Sequence, residues 1–226
     1  MGVGFLPGTC WPANPPNLEC SVTAAAPGHL AVSTGDGWEN AWAPYDEATY
    51  RFALTHVAPT DVVLDIGAGD LRLARRLAQI ARRVVAIERQ PDVLAHVDLA
   101  GLPTNLHVIQ ADARTWPFPN DVSVGILLMR HCTCVGDYIQ RLRAAGGQRL
   151  ITNARWGFGC EAIDLWSAMP WEDLAGGWYG CRCGAAGFKP LPPELLSDEL
   201  LWQHHEVTAC PHCARFPPQK NTHHTG

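Results

Sequence analysis

The stretch Val62-Val63-Leu64-Asp65-Ile66-Gly67-Ala68-Gly69-Asp70 constrains this chain more than any other part of it. An apolar run of strand length ends in an acidic residue and a Gly-x-Gly turn. Leu71-Arg72-Leu73-Ala74-Arg75-Arg76-Leu77 then continues at helical spacing. A strand therefore passes into a helix through a turn stripped of side chains, where a ligand can approach the backbone. The helix start beyond it offers N–H groups without intrahelical partners to whatever binds there.

Downstream of the turn, acidic residues recur at informative distances. Arg83-Val84-Val85-Ala86-Ile87-Glu88 reads as a second buried strand, and Glu88 lies 21 positions after Gly67. That is close to the spacing at which an acid at a strand tip grips a ribose. A carboxylate only accepts hydrogen bonds, so it suits two sugar hydroxyls and repels a 2′-phosphate. Asn105 to Gln110 reads as a third strand, followed by Asp112, placed to accept from an exocyclic adenine amine. Val122 to Met129 forms a fourth strand after Asp121. Acids at successive strand ends are hard to explain by packing. A nicotinamide dehydrogenase also uses Gly-x-Gly and a later acid, but its third glycine would fall at Arg72, a bulky cation. The remaining length also holds no second mononucleotide-binding half.

In this order and spacing, Asp65-x-Gly67-x-Gly69, Glu88 and Asp112 resemble the class I S-adenosylmethionine-dependent methyltransferases, over roughly residues 41 to 155 and less clearly to about 209. The resemblance implies that Asp65 and the backbone of Gly67, Ala68 and Gly69 surround the methionine moiety. Glu88, with Arg89 beside it, would hold the ribose, and Asp112 with Ala113 would frame the adenine. Leu71 stands where many members carry a third glycine. The runs Val63 to Gly69 and Val84 to Glu88 are most similar to the ribosomal RNA adenine dimethylases. That branch has an Asn-Leu-Pro-Tyr-like motif after its fourth strand, where this chain has Met129-Arg130-His131-Cys132. The fold implied is α/β: a Rossmann-like, seven-stranded, mostly parallel methyltransferase sheet ending in an antiparallel hairpin.

With 226 residues and 47% hydrophobic content, the chain can bury one substantial domain plus an appendage. We divide it into an irregular N-terminal arm (1–40), a cofactor-binding domain (41–178), a C-terminal hairpin (179–215) and a flexible tail (216–226). Net charge is −5, and residues 1–40 carry three acids (Glu19, Asp36, Glu39) and no Lys or Arg. Neither end is an electrostatic trap for phosphate backbones, so charge does not favour nucleic acid as a partner. Arg72, Arg75, Arg76, Arg82 and Arg83 cluster around the first helix after the glycine turn and read as its solvated face. No secretory segment or membrane-length apolar run is visible. The expected location is cytoplasmic, where clustered thiols argue for metal rather than disulfides.

Upstream of the first strand, Asp46 to Leu54 reads as a short amphipathic helix; the resemblance implies that it closes one side of the cofactor site, with Tyr45 a further contact there. After the fourth strand, Tyr138 to Leu142 makes a helix stopped by Gly146-Gly147. Arg149 to Ala154 is a fifth strand, and Glu161 to Met169 is expected to be a helix closed by Pro170.

Cys181-Arg182-Cys183 and Cys210-Pro211-His212-Cys213 form the second strong signal. Zn²⁺ takes four thiolates tetrahedrally, two from each short knuckle, and such a site is structural because no position stays open. With Ala185–Lys189 as a sixth strand and His204–Ala209 as a seventh, antiparallel pairing would bring the knuckles to one sheet edge. Cys181, Cys183, Cys210 and Cys213 would then staple the hairpin, with His204, His205 and His212 as substitutes.

His131 follows the fourth strand at the carboxyl edge, where a transferred methyl would point, and could take a proton from a nucleophile. The function expected is methyl transfer from S-adenosylmethionine to an unidentified small molecule or protein. RNA methylation, and a catalytically silent zinc-stapled binding module that kept the fold, are the alternatives.

Overall fold

The structure is a computed structural model, and it describes residues 45–130, 132–156 and 159–215. The proposed arm (1–40), the tail (216–226) and His131 lie outside these residues.

The apolar run Val62–Ile66 is strand β1, buried at all five positions, as a strand covered on both faces must be. It pairs in parallel with β2 (Arg83–Glu88) on one side and β4 (Val124–Leu127) on the other. Strands β3 (Leu106–Gln110), β5 (Arg149–Thr152) and β6 (Glu161–Asp164) complete a six-stranded sheet in the order β3-β2-β1-β4-β5-β6, in which only β6 runs antiparallel. The strand order reverses between β1 and β4. Their carboxyl ends therefore open a crevice, the place where ligands sit on sheets of this kind.

Helix α1 (Glu47–Thr55) starts where Asp46 accepts a hydrogen bond from Thr49 N at 2.8 Å. Helix α2 (Arg72–Leu77) follows the glycine turn. Tyr50 and Ala53 of α1 and Leu73, Ala74 and Leu77 of α2 pack in one core with Val63, Val84, Ala86, Ile126 and Ile151. That face of the sheet closes the crevice from one side. Two further helices, α3 (Pro91–Ala95) and α4 (Val135–Ala144), follow β2 and β4.

Three expectations need correction. Glu161 to Met169 is not a helix: Glu161–Asp164 is β6, which pairs with β5, burying Glu161 and Ile163 and exposing Asp164. The alternation of burial in this short run belongs to a strand, and its apolar content merely mimicked helical spacing. The sheet is not seven-stranded: a second, three-stranded sheet in the order β8-β7-β9 stands apart from the first. The last two expected strands, β8 (Ala186–Lys189) and β9 (His204–Val207), do not pair with each other. Both flank β7 (Gly177–Cys181), β8 antiparallel and β9 parallel. The cause is the turn at Cys181–Gly184, where Cys181 N donates to Ala185 O at 2.7 Å and Gly184 takes a φ of +89°. It folds β8 straight back onto β7. Two short helices, α5 (Asp198–Trp202) and α6 (Pro211–Arg215), flank β9.

Candidate cofactor site and cysteine cluster

The Gly-x-Gly turn joins the tips of β1 and β2. Gly67 N and Ala68 N both donate to Ile87 O, at 2.9 and 3.0 Å, and Gly69 N donates to Glu88 Oε2 at 2.9 Å. Gly67 has a φ of +72° and Gly69 of +56°. A Cβ on Gly67 would stand 2.8 Å from Met129 Sδ, and the φ of +72° would strain any side chain there, so glycine suits this turn. Leu71 keeps a left-handed conformation (φ 66°) with its side chain fully buried. The backbone strain of a glycine-like position is thus accepted in exchange for core packing.

Asp65 is 4% exposed, and its Oδ2 has no hydrogen-bond partner among the described residues. Burial, with the nearby Glu88 charge adding to it, raises its pKa to about 7. Glu88 is buried too, and its second oxygen accepts from Gln90 N at 2.8 Å, which locks the carboxylate at the tip of β2. Asp112 is held differently. It accepts from the guanidinium and the backbone N–H of Arg114, which lowers its pKa to about 2. Ala113 is buried, and its carbonyl accepts from Arg141 of α4, which also bonds Trp116 O. Arg89 is exposed beside Glu88.

A hollow of about 290 Å³, counting its open mouth, lies over this turn, lined by Tyr45, Tyr50, Asp65, Gly67, Ala68, Arg72, Leu73 and Leu128. The Tyr45 hydroxyl accepts from Arg130 N at 3.1 Å, so the start of the described chain reaches over the tip of β4. The donor set here suits S-adenosylmethionine: an unpartnered buried carboxylate for its positive charges, a glycine turn, and a second carboxylate fixed at the tip of β2. Sequence reading missed Tyr50 and Arg141, whose contacts join positions far apart in the chain and leave no local pattern.

Residues 46–154 match the sequence model of the ribosomal RNA adenine dimethylase family. The probable ribosomal RNA small subunit methyltransferase A of Methanosarcina mazei is 37% identical over 68 residues, which span 30% of this chain and 25% of that protein. The chain thus aligns with about a quarter of that relative's length. Over residues 46–154 the chain is thus similar to class I S-adenosylmethionine-dependent methyltransferases. Among solved structures, the 23S rRNA methyltransferase ErmE superposes at a TM-score of 0.42 with 25% identity, over 48% of this chain and 46% of that one. A dimethyladenosine transferase from Plasmodium falciparum superposes at 0.39 with 22% identity, over 46% and 39%.

Outside this methyltransferase segment, Cys181, Cys183, Cys210 and Cys213 come together with all four sulfurs within 4.8 Å of one another. Three of the separations are 3.5 Å (Cys181 to Cys213), 3.8 Å (Cys183 to Cys210) and 3.9 Å (Cys210 to Cys213). Four thiolates at about 2.3 Å from one Zn²⁺ would stand about 3.8 Å apart, so the cluster has the dimensions of a tetrahedral site. The knuckles meet because β9 runs parallel to β7, ending beside it. The cluster also touches the methyltransferase segment. A Cβ on Gly136, in the first turn of α4, would lie 2.3 Å from Cys183 O, and one on Gly184 would lie 2.8 Å from Gly136 N. His204 belongs to a different group, with Glu161 and Glu206.

Proposed function

We propose that the protein transfers the methyl group of S-adenosylmethionine to a nucleophile on an acceptor molecule. Asp65 carries this reading: a buried carboxylate with an unpartnered oxygen, at the crevice between β1 and β4 and beside a turn whose positive φ angles favour glycine. A sulfonium and an ammonium are the charges such a carboxylate lacks. When bound, the cofactor supplies a methyl group that is already electrophilic. The chain's own part is then to bind, align and exclude water. Gly67, Ala68 and Gly69 leave room for the methionine moiety, Glu88 accepts from ribose hydroxyls with Arg89 at its flank, and Asp112 with Ala113 borders the adenine. His131 is assigned the proton of any acceptor that must lose one. Cys181, Cys183, Cys210 and Cys213 are assigned a structural Zn²⁺, in keeping with a reducing, cytoplasmic location.

A small-molecule or protein acceptor suits the net charge of −5. RNA is the second reading, favoured by the names of the relatives matched over residues 46–154. Calorimetric titration of the full chain with S-adenosylhomocysteine tests the assignment. Saturable binding in the micromolar range is expected. Folded protein that gives no binding heat at millimolar ligand would sink it, and binding without transfer to any extract fraction would leave the silent module.

A further inference from the structure

Asn153, immediately after β5, is 3% exposed, and neither its Nδ2 nor its Oδ1 has a hydrogen-bond partner among the described residues. A buried amide left this way costs stability, and native proteins keep such groups where something outside the chain is to be bound. The backbone around it is held firmly. Thr152 Oγ1 donates to Leu127 O at 2.7 Å and accepts from Ala154 N at 3.0 Å. The parallel register pairs Ile126 with Ile151 and Leu127 with Thr152, so one more step along both strands would set Leu128 beside Asn153. Ile126 and Ile151 face the core under α1 and α2, and Leu128 lines the hollow. Alternation along the strand places Asn153 on that same face.

Asp65 and Glu88 lie at the ends of β1 and β2, and Asp112 follows β3, all on one side of the switch between β1 and β4. Asn153 lies on the other side, two strands from β1, which is about 10 Å at strand spacing. We propose that Asn153 is a positioning residue that holds the methyl acceptor through its side-chain amide. This rests on the methyl-transfer reading given above. A carboxamide offers a donor beside an acceptor, and it pairs with a group offering the reverse, the edge of an amino-substituted nitrogen heterocycle. Tyr45, reaching over the tip of β4, adds a flat wall that suits a ring. In the transfer, a lone pair of the acceptor forms the new bond to the methyl carbon. The carbon–sulfur bond breaks with its electrons left on sulfur, giving S-adenosylhomocysteine, and any proton the acceptor loses goes to the base assigned above. The heterocycle can belong to a free nucleoside or to a base in RNA.

The test compares the full chain with Asn153→Leu in three measurements: melting temperature, calorimetric affinity for S-adenosylhomocysteine, and transfer of labelled methyl to adenosine, cytidine, guanosine and a mixed-sequence RNA oligonucleotide. The wild type is expected to label at least one nucleoside or the oligonucleotide, and which of them it labels identifies the source. The variant is expected to melt at the same or a higher temperature and to bind S-adenosylhomocysteine within about twofold of wild type. It should lose roughly tenfold or more in kcat/KM, mainly through KM. A marked drop in melting temperature would make the amide structural, and weakened S-adenosylhomocysteine binding would move it to the cofactor; either overturns the proposal. So does undiminished transfer, or a wild type that binds S-adenosylhomocysteine but labels no heterocycle. A wild type that fails to bind S-adenosylhomocysteine refutes methyl transfer itself, and this is seen before any variant is compared.

Discussion

Asp65 and Glu88 divide the work of one crevice through their different surroundings. Glu88 has its oxygens tied to Gly69 N and Gln90 N, whereas Asp65 is buried with one oxygen unpartnered and a pKa near 7. A cationic ligand beside Asp65 favours its ionised form, so binding below neutrality must release a proton. Affinity for S-adenosylmethionine is expected to rise from pH 5 to about 7 and then level off, with proton release near pH 6. Calorimetry in buffers of different ionisation heat measures both, and a flat profile would separate Asp65 from the ligand's charge. The same shift has a cost in the free protein. The folded pKa stands above the ordinary 3.8, so the folded state holds this proton more tightly, and stability falls as pH rises from 3.8 toward about 7. Asp65→Asn is expected to raise the melting temperature at pH 8, by up to about 4 kcal/mol of stability, while weakening cofactor binding. A variant that melts lower at pH 8 would contradict this. Glu88→Ala leaves Gly69 N without its acceptor and removes the proposed ribose contact. A loss of roughly 1–3 kcal/mol in calorimetric affinity for S-adenosylhomocysteine is expected.

At the scale of elements, the parallel strands were legible because a buried strand writes itself as a continuous apolar run. Val62–Ile66 and Arg83–Glu88 are such runs, the first with Asp65 next to its end and the second ending at Glu88. Strand β7 was not legible: Gly177-Trp178-Tyr179-Gly180 lacks β-branched residues and carries two glycines, and Gly180 exists because Arg155 packs 2.3 Å from where its Cβ would be. The cysteine knuckles were legible by spacing, but their docking on α4 was not, since Gly136 looks like an unremarkable helix residue until Cys183 O is placed against it. That contact makes a prediction opposite to helix propensity. Gly136→Ala would gain up to about 1 kcal/mol in an isolated helix. Here the methyl group meets rigid backbone, so the variant is expected to melt lower than wild type and to bind zinc more weakly. Metal analysis should find one zinc per wild-type chain, and a chelator should lower its melting temperature toward that of the variant. A wild type without metal, or unmoved by chelator, would refute the staple.

Across the whole molecule, the two sheets are joined by one buried cation. Arg155 is fully buried and bonds both oxygens of Glu161 on β6 and both oxygens of Glu206 on β9. Trp156 Nε1 adds a hydrogen bond to Glu161 at 2.9 Å, and its ring meets Trp178 and His204 edge-on. No sequence pattern announces this, because the partners stand 6 and 51 positions away and only the folded sheets bring them together. The second sheet has a small core of its own, Leu174, Cys181, Val207 and Cys210, so its attachment depends on this bridge and on the cysteine cluster. Removing the cation leaves the buried Glu161 and the half-buried Glu206 without a counter-charge, and breaking a buried pair this way typically costs about 3–5 kcal/mol. Arg155→Met is therefore expected to lower the free energy of unfolding, read from denaturant titration, by that amount. The second sheet should melt first, seen as an early change in tryptophan fluorescence from the Trp156–Trp178 contact. S-adenosylhomocysteine should still bind, since Asp65 and Glu88 belong to the other sheet. A loss below about 1 kcal/mol, the range of exposed ion pairs, would show that the bridge contributes little and that the cysteine cluster holds the sheets together unaided.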